Sequence, residues 1–376
     1  MAPDFEIIIV GAGFAGAAAA TVLGREGFGV ALIDPRPEYP PEFKAEKLEP
    51  EQADALRHLH LAEGLLSRAE RIHTVAEAHD GRVLRVRAIE QYGMRYHDIV
   101  GQLRRQIPDT VDFRIARVAG IETSSDVQSV ILDDGSSVTA QLVVMAAGTA
   151  PKVETLMGLR RRQIRSRHSL CVGFDIARVG GGAFPFEALT YWADSLDSGI
   201  DFISLFPVPG AMRVNLFGYL GLRDPWLRVL TEAPHVAIER TMPKLTRVVG
   251  EWRAISKVEI RAIDLYVTDV PRVDGIVLVG DAWQSVCPAT GTGLGKVLTD
   301  VDVLCRTYIG AWLDTPGMGA EKIASYYNDP RKIACDDSSL RDAEYRRRFI
   351  TERSLRWRIH RASSYARIAL AGMFHL

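Results

Sequence analysis

The sequence predicts an α/β protein: a parallel sheet carrying a glycine-rich loop, an antiparallel sheet inserted into it, and a helical C-terminus. Three observations predict this. An apolar β-branched run, Ile7 to Val10, leads into Gly11-Ala12-Gly13-Phe14-Ala15-Gly16. A second apolar run, Ile276 to Val279, ends in Gly280-Asp281 and is followed by Gly291, Gly293 and Gly295. Between them, residues 170–220 change to alternating patterns that suit an antiparallel sheet, and Val258 to Leu265 alternate again after a helical stretch from Asp224 to about Gly250.

Composition sets the bounds. The chain has 376 residues, 47% hydrophobic and 25% charged, as an ordinary globular protein has. Lys and Arg number 46 against 47 Asp and Glu, a balance that argues against a dedicated nucleic-acid binder. The four cysteines, Cys171, Cys287, Cys305 and Cys335, make no CxxC pair, which points away from structural zinc and toward a reducing compartment. Asp4 and Glu6 precede the first apolar run, where a signal peptide would be basic. No apolar run has the length of a membrane span. The expectation is a cytoplasmic protein without nucleic acid, bound metal or transmembrane segment.

The first motif has the order strand, glycine loop, helix, strand, acid. The second strand, Gly29 to Ile33, ends at Asp34, 18 residues beyond Gly16. Such spacing marks a Rossmann-like dinucleotide site. Gly11 permits the tight turn, Gly13 admits a pyrophosphate, and Gly16 lets the helix sit on the strand. The helix N-terminus offers amides and a positive dipole to the phosphates. Asp34 can accept from ribose hydroxyls. Pro35 and Arg36 follow it, and Arg36 is either a 2′-phosphate contact or a solvated residue. This motif alone does not separate FAD from NAD.

The second motif does. Its strand, Gly280-Asp281, Pro288 and Gly291-Thr292-Gly293-Leu294-Gly295 resemble the second FAD motif of the aromatic hydroxylases with the p-hydroxybenzoate-hydroxylase fold. Flavin-dependent halogenases and geranylgeranyl reductases share that module. The resemblance spans about residues 5 to 310. It implies that Gly280 and Asp281 serve the ribityl chain. It implies that Pro288, Thr292, Gly293 and Leu294 surround the flavin ring, with no side-chain nucleophile. Further implied cofactor contacts are Lys47, Arg95 at the start of a helix through Leu103, Val118 near adenine, and Gly148 at the end of the strand Leu142 to Ala147. Arg95 is open to a second reading as a plain surface residue.

The resemblance implies FAD-dependent monooxygenation of a small aromatic or conjugated molecule, with O2 activated as a flavin C4a-hydroperoxide. Two departures bear on the reductant. The family carries Asp-Gly where this chain has Ala147-Gly148, and an Arg where it has Glu154. NADH or NADPH is then one electron source, and a separate flavin reductase is another. A dehydrogenase or reductase acting on a C–C or C–N bond is the alternative activity, with a halogenase after it. The segment Glu251 to Ile255 does not match the halogenase WxWxIP pattern.

The expected division is a discontinuous FAD domain, 1–169 and 262–320, a substrate domain, 170–261, and a C-terminal helical segment, 321–376. Within the substrate domain, strands at Leu170 to Ile176 and Leu189 to Trp192 precede a hairpin around Pro209-Gly210. Alternation puts Phe202, Ser204 and Phe206 on one face, and Arg213, Asn215, Phe217 and Tyr219 on one face of the next strand. Tyr191, Ser204, Phe206 and Asn215 are the expected substrate residues; each is also open to a reading as sheet core. From Leu340 onward nine arginines stand against three acids, with Trp357, Ile359 and Tyr365 interleaved. Such helices either pack across the acidic remainder, touch a membrane surface, or dock a carrier protein.

Overall fold

The computed structural model describes residues 2–150, 158–269 and 273–373. Its first sheet has seven strands. The strand Phe5–Val10 lies between Val30–Asp34 and Ser137–Met145 and is parallel to both. Ile7, Ile8 and Ile9 are fully buried, which is why this run is apolar on both faces. Burying each such side chain contributes about 1.5–3 kcal/mol. Parallel neighbours need a crossover, and the helix Phe14–Arg25 supplies it. Its alanines 17 to 20 are buried, so the helix sits close to the sheet.

The strand Ser137–Met145 is the junction of this sheet. On its outer side it pairs first with Gln128–Leu132, antiparallel, and then with Ile276–Leu278, parallel, opposite Val143 to Met145. That last pairing brings the second glycine motif beside the first from far along the chain.

The second sheet has nine strands. Its spine is one long strand, Arg160–Arg178, which pairs with Ala211–Gly218 and Glu259–Asp269. The expected boundary at 169/170 falls inside this strand. The hairpin at Pro209-Gly210 forms as expected, joining Ile200–Val208 to Ala211–Gly218, with Gly210 at φ +81°. Ala188–Trp192 pairs with Ile200–Val208 on one side and, in parallel, with Glu70–His79 on the other. The hairpin Glu70–His79 and Arg82–Gly93, turning at Asp80-Gly81, thus extends the second sheet.

One face of this sheet packs under the helices Pro225–Glu232, Pro234–Thr241 and Thr246–Val249, using Leu170, Val172, Phe174 and Leu216 against helix residues such as Ile238. The alternate residues Gly173, Arg213 and Asn215 meet the segment from Phe43 to Glu46 on the other face, and Asp175 there accepts from Arg213. The C-terminus is helical as expected, with Ala320–Tyr327, Pro330–Thr351 and Leu355–Met373. No described helix is long and apolar enough to cross a membrane.

Candidate functional site

The two glycine motifs meet at the C-terminal edge of the parallel sheet. Gly11 has φ +99°, and a Cβ there would lie 2.7 Å from the Ala146 carbonyl oxygen. A Cβ on Gly16 would lie 1.8 Å from the Gly11 carbonyl oxygen. Packing dictates both glycines. Gly13 differs: the nearest neighbour of its Cβ would be Tyr39, 4.0 Å away. It is the N-cap of Phe14–Arg25 and carries no capping side chain. An open glycine at the start of a helix with unpaired amides is what a pyrophosphate requires. The residues present therefore fit the phosphates of a dinucleotide.

Asp34 is 1% exposed. It accepts from the Ala12 amide at 2.9 Å, from the Arg36 amide at 2.9 Å, and from the Arg36 guanidinium at 3.0 and 3.2 Å. Burial raises its pKa, but the bonds from Arg36 and Ala12 outweigh burial and leave it below the ordinary carboxylate value. Arg36 is 44% exposed and occupies both Asp34 oxygens, the acceptors that a ribose hydroxyl would need. Pro35 is exposed, and Val118 is buried in one cluster with Val10 and Ile33.

Arg104, which the sequence does not single out, organises this region. Its Nε donates to the Ala12 carbonyl at 2.7 Å and its Nη1 to the Arg36 carbonyl at 2.9 Å. The guanidinium lies 5.5 Å from the Tyr39 and Phe113 rings. The signal was an arginine in the last turn of the helix Tyr96–Arg104, where such a residue is ordinary.

At the second motif Gly280 has φ +62°, and a Cβ there would press on Val297 and approach Ala15 of the first motif. The Gly280 amide donates to Asp300 at 2.8 Å. Tyr266 donates its hydroxyl to the Asp281 carbonyl at 2.8 Å. Arg161 stacks 4.5 Å over Tyr266 and reaches the carbonyls of Gly148, Thr149 and Ala150, so Gly148 and Asp281 are tied through two side chains. Further on, Pro288–Thr290 forms a short turn and Gly291 takes φ +70°. Gln52 donates to the Gly291 carbonyl at 2.7 Å. The helix Gly293–Val303 then starts behind Thr292 with no side-chain cap. Its amides at Gly293, Leu294 and Gly295 have no intrahelical acceptor.

Two expected cofactor contacts point elsewhere. Arg95 donates to Asp175 at 2.7 Å, and Lys47 pairs with Glu49 at 3.2 Å. Glu154 lies outside the described residues.

Three of the four expected substrate residues share a face. Ser204 opposes Asn215, and Phe206 opposes Arg213. Tyr191 does not join them. It opposes Ile203, while Thr190 opposes Ser204, so the pleat turns Tyr191 into the helix-packed core. There its hydroxyl meets the Gly81 amide and the Asp194 carboxylate.

The shared face is built on an ion lattice around a buried arginine, with Glu259 at its exposed edge. Arg213, 1% exposed, donates to Glu46 at 2.6 Å, to Asp175 at 3.1 Å and to Glu259 at 2.8 Å. Asn215 also donates to Glu46, at 3.1 Å. Burial raises the Glu46 pKa in spite of Arg213. A cleft of about 320 Å³ opens beside the lattice, lined by Glu42, Glu46, Arg95, His97, Asp175 and Glu259 among others.

Comparisons with known proteins agree with this geometry. Residues 4–156 match the family described as the FAD binding domain. Over 326 residues the chain is 24% identical to the 6-hydroxynicotinate 3-monooxygenase of Pseudomonas fluorescens, covering 81% of this chain and 83% of that protein. The fold is similar to that of p-nitrophenol 4-monooxygenase PnpA from Pseudomonas putida DLL-E4, with a TM-score of 0.75 and 18% identity, covering 99% of this chain and 95% of that one. It is similar also to HpxO of Klebsiella pneumoniae complexed with FAD and uric acid, with a TM-score of 0.71 and 18% identity, covering 97% and 92%. The chain thus carries an FAD binding domain over residues 4–156 and shares the fold of p-nitrophenol 4-monooxygenase and of HpxO.

Proposed function

We propose that the protein inserts one oxygen atom of O2 into a small aromatic or conjugated organic molecule. The observation that carries this reading is the junction of the two motifs. An uncapped helix N-terminus at Gly293 follows Pro288, and the Pro288–Thr290 turn packs against the strands Arg160–Arg178 and Ala211–Gly218 of the second sheet. The names of the similar proteins support an aromatic substrate.

In this reading Gly11 to Gly16 hold the pyrophosphate of FAD, Asp34 the ribose, Gly280 and Asp281 the ribityl chain, and Gly291 to Gly295 the ring system. FAD, when bound, supplies the redox chemistry that activates O2. The chain supplies the rest. The amides of Gly293, Leu294 and Gly295 and the dipole of their helix stabilise negative charge at the end of the ring system they face. Ser204, Phe206 and Asn215 orient the substrate. Tyr191 drops out of this set. The FAD domain comprises 1–169 and 262–320 in this proposal, with the hairpin 70–93 lent to the substrate sheet.

Electrons come either from NADH or NADPH or from a separate flavin reductase. Ala147, where the resembled family has a carboxylate, favours the second route. Dehydrogenation of a C–C or C–N bond is the second reading, favoured by the same residue. All four cysteines are free, which suits a cytoplasmic enzyme.

The test is turnover of a panel of hydroxylated and amino-substituted aromatic acids and heterocycles under isotopically labelled O2, with NADH, NADPH or a free flavin reductase. Label in the product supports monooxygenation. Product oxidised without label points to a dehydrogenase. A purified protein that takes up no FAD overturns both readings.

A further inference from the structure

The last helix, Leu355–Met373, is amphipathic with its apolar side outward. Its inner side holds it to the protein by aromatic and polar contacts. Tyr365 stacks on His79 with ring centroids 4.4 Å apart and touches Trp192 at 5.8 Å. Trp357 packs on Tyr345 at 5.8 Å. Arg361, 6% exposed, donates to the Phe349 and Glu352 carbonyls at 2.7 and 2.9 Å. These five contacts turn residues 357, 361 and 365 inward.

The opposite side carries Leu355, Ile359, Ala362, Ala366 and Leu370. Their spacing at helical period puts them in one stripe along the helix axis. All five are exposed, Leu355 by 68%, Ile359 by 61% and Leu370 by 50%. Monomeric proteins bury aliphatic side chains on the inner face of a surface helix; here the polarity is reversed.

Arginines flank the stripe. Arg356 and Arg367 border it on one side and Arg358 on the other, and all three are exposed. Among the described residues no carboxylate lies within ion-pair range of any of them, and the helix itself contains no acid. Arg367 donates to the Ser363 carbonyl and the Ser364 hydroxyl. The hairpin strand Arg82–Gly93, which packs beside the helix, exposes Val83 and Val86 as well.

We propose that this helix docks the enzyme on the surface of an anionic lipid bilayer. The charge pattern selects this occupant. A stripe of Leu and Ile bordered on both sides by unpaired arginines matches a layer of acyl chains topped by phosphates. A second copy of the chain would bring the same arginines against themselves. The helix lies in the interface and does not span it, since no described helix is long and apolar enough to cross a membrane.

The experiment is flotation of the full FAD-loaded chain with phosphatidylcholine vesicles, with and without a third of phosphatidylglycerol. The chain is expected to float with the anionic vesicles and not with the neutral ones. Binding should fall at least tenfold as salt is raised to the point where the Debye length is about 3 Å. The pair Leu355→Ser and Ile359→Ser should lose binding at least tenfold, with FAD content and thermal midpoint unchanged. If that pair fails to fold, Arg356→Gln with Arg358→Gln tests the charges alone. Failure of the wild-type chain to float with anionic vesicles at low salt overturns the proposal. So does binding by both variant pairs as strong as that of the wild type. A wild-type dimer that the Leu355→Ser and Ile359→Ser pair converts to a monomer without lipid assigns the stripe to a second copy instead.

Discussion

Lys332 and Asp300, 32 residues apart, form a fully buried ion pair of 2.7 Å directly behind the Gly280 amide. The other oxygen of Asp300 accepts from Gly280 and from Lys296 at 3.0 Å. Asp336 completes the set, 3.1 Å from Lys296 and 3.2 Å from Lys332, and accepts from the Trp283 indole at 2.7 Å. The helix Pro330–Thr351 is thus bolted to the second FAD motif through charge, and Trp283 is one of the bolts. Burial alone would raise the Asp300 pKa; Lys296 and Lys332 reverse that and hold it below the ordinary value.

Replacing Lys332 by Met should therefore leave two buried carboxylates against one ammonium. Removing one partner of a buried pair costs about 3–5 kcal/mol. Urea unfolding should show that loss, and FAD should dissociate more readily, because the Gly280 turn loses its backing. A change below about 0.5 kcal/mol, the range of ordinary surface substitutions, would contradict the bracing role.

Arg104→Met should weaken FAD without unfolding the protein. The guanidinium holds the Ala12 and Arg36 carbonyls, and hydrogen bonds from a charged group are worth about 1.5–3 kcal/mol. The dissociation constant of FAD, followed by quenching of flavin fluorescence, should rise about tenfold or more. Arg36→Ala should act less, or in the opposite direction, since Arg36 occupies the Asp34 oxygens that a ribose hydroxyl needs.

Gly13→Ala and Gly16→Ala should fail in different ways. At Gly16 the new methyl would overlap the Gly11 carbonyl at 1.8 Å, a backbone atom that cannot step aside. That variant should be destabilised by about 1–3 kcal/mol or more. At Gly13 the methyl meets no protein atom closer than 4.0 Å. Its apoprotein should melt as the wild type does, while FAD affinity drops. Equal melting of both apoproteins would contradict the packing argument.

His168 should make stability fall with pH on the acid side. It is fully buried, and burial, then Arg347 and Arg165, pushes its pKa down to about 4. An unfolded histidine titrates near about 6.5. Between those values the unfolded chain holds a proton that the folded chain does not. Stability is complete above about pH 6.5 and declines toward pH 4, by on the order of 3 kcal/mol. His168→Phe should flatten that stretch of the stability profile, measured by urea midpoints across the pH range.

Local pattern reached a long way into this fold. The run Ile7 to Val10, the three glycines after it and Asp34 announce their strand, turn and helix because each has a steric or hydrogen-bonding role within a few residues. The same holds at Gly280-Asp281 and Gly291 to Gly295. Alternation placed Ser204, Phe206, Arg213 and Asn215 on a shared face, since pleat and register follow from a tight hairpin. The hairpin of Glu70–His79 and Arg82–Gly93 was half legible: Asp80-Gly81 is a tight-turn signal and Leu84 to Ala88 alternate, but its place in the second sheet was not, because the edge it pairs with, Ala188–Trp192, lies far along the chain. The side of Tyr191 was open for the same reason: one residue of register decides the face, and its partner Ile203 belongs to another element.

Short-range chemistry, then, carried the α/β class, the FAD motifs and the helical C-terminus, because glycine sterics, strand period and helix period act between neighbours in the chain. Long-range pairing was settled by the folded molecule. Arg104 beneath Asp34, Arg213 among three carboxylates, Lys332 against Asp300 and the outward stripe from Leu355 to Leu370 are all ordinary residues in ordinary helices or strands. Their roles arise from partners far along the chain, or from none, and burial without water is what turns such a meeting of charges into structure.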